Sequence, residues 1–320
     1  MTTGTIQTPY GVFSGVVSQA HYPDGRFQGL RLEDRNVILT HAGELVPFYG
    51  EETLRRKSKA SVTFHENGMI KAVALEEQQE VMTPIGELPA ELITFYDTGE
   101  VHRVFPLDGH LSGFWSEEDE RELNIPLSFD LGFTSFTAML SCICFYKSGQ
   151  IKSVTLFPGE EIDAALRGFG QIKARHGFSL YDTGELESIE PAEPVRLQTP
   201  AGLLTAYDPS ATGISADSNS LVFDKEGRLA GLKTAGERIL AKAAGGAFHS
   251  FSPAVLCADD ACSSVSLPIN IRFQHDSEAV IISDDQSAAL FSFHDDFFIH
   301  PADRPNCSPA DCASCSLCKK

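Results

Sequence analysis

Basic residues, tryptophan and long apolar runs are all scarce in this chain. Lys and Arg together number 25 against 44 Asp and Glu, a formal charge of −19 over 320 residues. Such a surface repels phosphate backbones and anionic lipid, so no nucleic-acid partner is expected, whereas a basic protein or a cation is attracted. The same charge helps to keep a strand-rich surface soluble. The least charged stretch, LGFTSFTAMLSCICFY (131–146), is shorter than the ~20 residues a membrane helix needs and is broken by Thr and Ser, so it reads as buried strands. No membrane span is expected.

Targeting and catalytic signatures are missing as well. The start, MTTGTIQTPYG, has neither the basic nor the apolar region of a secretory signal. The expected location is therefore the cytoplasm, where thiols stay reduced, and the eight cysteines are expected to be free, buried or bound to metal rather than paired. There is no P-loop, G-x-G-x-x-G, H-E-x-x-H or G-x-S-x-G, and no local pairing of a nucleophile with a base. An enzyme assembled from distant residues stays open. Helix signals are few: EEIDAAL (160–166), after Pro158-Gly159, and GERILAKAA (236–244), running into Gly245-Gly246, each predict a short helix.

What the chain does have is a recurring corner. FYDTGEVHRV (95–104) returns as FYKSGQIKSV (145–154) and LYDTGELESI (180–189). Six copies align on Gly25, Gly68, Gly99, Gly149, Gly184 and Gly227. Two residues after each glycine stand Phe27, Ile70, Val101, Ile151, Leu186 and Leu229; five after stand Leu30, Val73, Val104, Val154, Ile189 and Leu232. Four before stand His21, Phe64, Phe95, Phe145, Leu180 and Phe223. Apolar residues six and four before the glycine share one face of a strand. Two polar residues and a glycine with a left-handed backbone then close a hairpin. Positions two and five after the glycine cannot share a face of a regular strand, so one inserted residue, a β-bulge, is predicted in each returning strand.

A second phrase, apolar-x-Thr-Pro-x-Gly, appears as IQTPYG (6–11), VMTPIG (81–86) and LQTPAG (197–202), with a weaker copy THAG (40–43). Proline suits the first central position of a turn and glycine its exit. Two turn types joined by strands describe a meander. An isolated hairpin is marginal in water, so the units are expected to stack on a shared core.

The aromatic-x-x-Gly corner at 22–25, 95–99, 145–149 and 180–184 resembles the divergent MORN-type repeat families over about residues 10–234. These units are longer than the usual repeats and mostly carry one glycine. The resemblance implies a β-hairpin scaffold that contacts protein or lipid; some divergent members of such families are labelled antitoxin components.

Candidate sites are few. The C-terminal NCSPADCASCSLCKK places Cys307, Cys312, Cys315 and Cys318 in a C-x4-C-x2-C-x2-C spacing. Closely spaced thiolates are the ligands of structural zinc and of iron–sulfur clusters, which makes these four the candidate metal ligands and zinc or a cluster the candidate cofactor. A mobile tail with exposed thiols and a set of disulfides are the competing readings. Cys257 and Cys262 form a further C-x4-C pair. FHDDFFIH (293–300) gathers His294, Asp295, Asp296 and His300, but its spacing matches no site type and a loop between strands explains it. His21, His65 and His102 lie near corners, two of them where other units carry aromatics, which points to structural roles. Cys142 and Cys144 flank inward Ile143 and so face outward with Tyr146, as an accessible thiol pair or as packing against a neighbouring layer.

Tyr22, Tyr96, Tyr146 and Tyr181 stand three residues before their glycines. On one face they make either a recognition stripe, offering apolar area with a polar tip, or ordinary cross-strand packing. The expected architecture is all-β: bulged hairpin repeats over 1–240 in an elongated sheet or solenoid, a small β-rich region at 247–300 and a cysteine tail at 301–320. The leading functional expectation is a non-enzymatic scaffold binding another protein through its repeat surface. The alternative is a metal or iron–sulfur redox protein using the tail.

Overall fold

A computed structural model describes residues 4–57, 59–212, 219–257 and 264–302. The fold is nearly all β, dominated by a large antiparallel sheet of 17 strands made of hairpins. Among the described residues the only α-helix is Glu117–Arg121, started by a Ser116/Asp119 capping box, and none is long and apolar enough to cross a membrane.

Each repeat corner forms as the residue pattern demands. All six corner glycines have positive φ, between 78° and 101°, a region where a side chain would strain the backbone. The Gly99 N–H donates to the Tyr96 carbonyl at 3.0 Å, and the Tyr96 N–H donates to the Glu100 carbonyl at 2.9 Å. In the Gly68 hairpin Thr63 pairs with Ala72 and Phe64 with Ile70, so Lys71 is the inserted residue of a bulge. The same register shift recurs in the hairpins of Gly25, Gly99, Gly149 and Gly227. It turns Ile70 and Val73 to the same side, where both are buried.

The repeats are complementary to one another. Within each unit the residue five after one glycine lies opposite the residue six before the next. In the first unit this produces an unbroken cross-strand row: Leu30, Val62, Val73, Ile93, Val104, Ile143 and Val154. All seven are 0% exposed. At roughly 1.5–3 kcal/mol for each fully buried aliphatic side chain, this row is the main reason the hairpins stay together.

The Thr-Pro-x-Gly phrases also share one geometry. Thr8, Thr83 and Thr199 each donate Oγ1–H to the carbonyl of the glycine three residues on, at 3.1, 2.6 and 2.7 Å. Thr40 of the weaker THAG copy does the same at 3.1 Å. Each threonine Oγ1 also accepts the N–H two residues ahead. The side chain thus closes the turn from within.

Packing divides the chain into two compact units: residues 1–131, 135–160 and 180–184, and residues 132–134, 161–179 and 185–320. In the first, the insertion between the Gly99 and Gly149 hairpins is pinned by ions. Arg55 makes paired hydrogen bonds to Glu91, at 2.9 and 2.5 Å, and to Glu120, at 2.8 and 2.9 Å. Glu120 further accepts from Gly109 N–H and Trp115 Nε1–H. In the second unit the row runs Ile189, Leu221, Leu232, Ile271 and Ile282. Strands Ile269–Gln274, Ala279–Ser283 and Ala288–Ser292 thus continue the sheet from the Gly227 hairpin.

The two predicted helices are strands. Glu161–Leu166 alternates exposed and buried, with Ile162, Ala164 and Leu166 inward, and pairs with Gly170–Leu180. Glu237–Lys242 pairs on both sides, with Phe248–Phe251 and Asp296–Pro301, burying Ile239 and Ala241. Segments this short cannot sustain a helix alone, and a waiting strand partner decides their state.

Candidate functional site

The outward face of the first unit is built from the positions that alternate with the buried row. Thr63, Ala72, Thr94, Arg103 and Cys144 are successive cross-strand neighbours there. Ala72 and Thr94 are small, so the face sinks into a groove between the Gly68 and Gly99 hairpins with a cavity volume of about 540 Å³. Its turn-side end carries His65, Lys71, Tyr96 and His102. Arg103 stands at its middle, opposite Thr94. The other end is apolar, formed by the facing pair Leu92 and Phe105, both half-buried.

Electrostatically the groove differs from the chain as a whole. Among the described residues that line it the only carboxylate is Asp97, which lies at the rim with Lys147 Nζ 2.7 Å from Oδ1. The His102 ring packs against the Tyr96 ring, tilted by 34° with centroids 4.3 Å apart. Burial holds the pKa of His102 below its ordinary value, and the positive charges of Arg103, Lys152 and His65 push the same way. Burial raises the Tyr96 phenol, with Cys144 adding to the effect.

The four sequence-predicted tyrosines are half-buried at their corners. Tyr22 Oη donates to the Phe64 carbonyl at 2.8 Å, Tyr96 Oη to Phe145 at 2.8 Å, and Tyr146 Oη to Leu180 at 2.9 Å. Each tyrosine therefore staples its hairpin to the next one, at the residue four before the next glycine. His65 takes the same place in the Gly68 hairpin, with Nε2 2.9 Å from the Phe95 carbonyl. Tyr181 holds the equivalent position at the Gly184 corner. The hydroxyl tips serve the stack; the ring of Tyr96 is what lines the groove. A polar-tipped ring three before each glycine was the sequence signal for this stapling. No local signal marked Leu92, Phe105 or Arg103, because only strand pairing brings them to one trough.

Of the outward thiols, Cys144 is 3% exposed and Cys142 half-buried. His294 lies 3.3 Å from Glu278, and Asp295 accepts the N–H groups of Ala244 and Ser292. Among the described residues no three His, Cys, Asp or Glu side chains converge as a metal site. Cys307, Cys312, Cys315 and Cys318 lie outside the described residues, as does Cys262.

The second unit holds a different polar concentration. Glu190 is 1% exposed and accepts hydrogen bonds from the Ser220 N–H at 2.7 Å and the Ser220 hydroxyl at 2.9 Å, with Arg175 Nη2 3.8 Å away. Burial pushes its pKa up to about 7. Next to Arg175 in sequence, His176 has φ +63°, in the left-handed region that favours glycine. The repeat register explains the Glu190–Ser220 pair. Glu190 is six after Gly184 and Ser220 seven before Gly227; Arg31 and Ser61 hold the same two places in the first unit, 3.4 Å apart. The position is a polar inter-hairpin contact in these two copies, whereas the copies between them place Ala74 with Leu92, and Phe105 with Cys142, in the same register.

No protein-family model, curated protein or solved structure matches this chain. The likeness to MORN-type repeats therefore rests on the corner residues alone.

Proposed function

We propose that this protein is a scaffold that binds another protein through the outward face of its hairpin repeats, with the groove between the Gly68 and Gly99 hairpins as the docking point. The observation that supports this reading is the groove itself: about 540 Å³ of open space on a sheet face, walled by Tyr96 and by Leu92 and Phe105. Ordinary outward strand positions carry polar side chains directed at water. Here an aromatic ring and two half-buried apolar groups surround a floor of small residues, the composition of a partner-binding surface rather than of a solvated one.

Site-directed photocrosslinking in cells expressing the full chain tests it. A photoreactive residue at Lys71, which is exposed, is expected to capture one defined protein, and Ala72→Leu in the groove floor is expected to abolish that capture. A control probe at Val12, 61% exposed, is expected to give no such product. Equal labelling from both positions would remove the groove as the docking point.

A further inference from the structure

The groove is charged against the trend of the molecule. With 44 acidic and 25 basic side chains in the chain, a random outward patch carries more carboxylates than cations. Lys71, Arg103 and the two imidazoles of His65 and His102 line this one, and the one carboxylate among its described lining residues, Asp97, is already engaged by Lys147. Lys152 extends the positive region, its Nζ 5.9 Å from the centre of the Tyr146 ring. The cations sit toward the turn-side end and the middle, and the apolar pair Leu92 and Phe105 at the other end. From Leu92 to Tyr96 the groove follows an extended strand, ~13 Å at ~3.3 Å per residue, enough for about four residues of extended peptide.

Building on the scaffold reading, we propose that the groove selects an acidic, extended segment of its partner: carboxylates against Lys71, His102 and Arg103, and an aromatic or aliphatic side chain over Leu92 and Phe105. Two length scales make this compatible with the acidic chain. At physiological ionic strength charges separated by more than ~8 Å are largely screened, so a short segment inside the groove responds to the local cations. A nucleic acid or an anionic bilayer covers many such lengths and meets the net charge of −19. The small floor of Ala72 and Thr94 lets a backbone approach closely, and the apolar end supplies the desolvated contact that charge alone does not.

Fluorescence anisotropy on the full chain, with labelled synthetic peptides, tests the proposal. The probes are an acidic peptide with a central Phe (Glu-Glu-Phe-Glu-Glu), the same peptide with Gly for Phe, and a basic counterpart (Lys-Lys-Phe-Lys-Lys). The acidic Phe peptide is expected to bind best. Lys71→Glu, at an exposed position that leaves the core untouched, is expected to weaken it roughly tenfold, and Ala72→Leu to abolish binding. Circular dichroism checks that each variant folds. If the basic peptide binds as well as the acidic one, or if Ala72→Leu abolishes binding while Lys71→Glu changes nothing, the acidic preference is overturned and the scaffold reading stands. If no peptide binds and the Lys71 crosslinking probe captures nothing, both fall.

Discussion

Glu190→Gln isolates the cost of a buried carboxylate. The side chain is 1% exposed, receives two hydrogen bonds from Ser220, and has its nearest cation, Arg175 Nη2, at 3.8 Å, beyond hydrogen-bond reach. Burial raises its pKa from 4.5 to about 7. A carboxyl that is harder to ionise when folded stabilises the fold below pH 4.5, where both states are protonated alike. Between 4.5 and about 7 the unfolded chain releases a proton that the folded chain keeps, so this stability is lost as the pH rises. Above about 7 the whole difference, roughly 3 kcal/mol, weighs against folding. Glutamine has nearly the same shape. Its Oε1 accepts the Ser220 N–H, and its Nε2 donates to the Ser220 hydroxyl, which rotates to accept. The variant is therefore expected to lie within about 1 kcal/mol of the wild type at pH 5 and to exceed it by ~1–3 kcal/mol at pH 8, the lower figure allowing for the lost attraction to Arg175. Calorimetric unfolding at pH 5, 6.5 and 8 reads the difference. The single Trp is residue 115, in the first unit, so its fluorescence does not report this site. A variant less stable at pH 8 than the wild type, or a gap that does not change with pH, would refute the reasoning.

Other expectations follow from the same contacts. Gly68→Ala introduces a Cβ into open space at φ +85°, so its cost is backbone strain alone, about 1–2 kcal/mol, measurable by urea unfolding. Arg55→Met leaves Glu91 and Glu120 buried without their cation; a loss of about 3–5 kcal/mol is expected, followed by Trp115 fluorescence because Trp115 donates to Glu120. Tyr22→Phe removes one inter-hairpin hydrogen bond, to the Phe64 carbonyl, for about 1 kcal/mol, with faster amide exchange at the corner as the readout. Groove binding is expected to take up protons. His102, with its pKa held low by burial and faced by Arg103, Lys152 and His65, gains a proton when a carboxylate arrives beside it, while Asp97 keeps its contact with Lys147. Calorimetric titration in two buffers of different ionisation enthalpy measures that uptake, and acidic-peptide affinity should rise from pH 8 to pH 6.

Much of the repeat was readable in the residues because its cause is local. A glycine with two polar residues before it, and apolar residues four and six before and two and five after, admits one economical geometry, the bulged hairpin. Thr-Pro-x-Gly likewise closes its own turn through the threonine hydroxyl. In both cases donor and acceptor lie within a few residues, so spacing alone specifies the contact.

What the chain could not display in one dimension was decided by strand pairing. Ile162, Ala164 and Leu166 suit a helix or a strand; a partner at Gly170–Leu180 settles them as strand. Arg55, Glu91 and Glu120 are unremarkable surface types until the insertion folds back and buries them together. The groove exists because Ala72, Thr94 and Arg103 come from three different strands whose registers are set by the bulges. The order of residues determined the hairpins, their turns and the buried row they share. Only the stacked fold determined which side chains meet across it, since desolvation and charge pairing act between atoms that are close in space, whatever their distance along the chain.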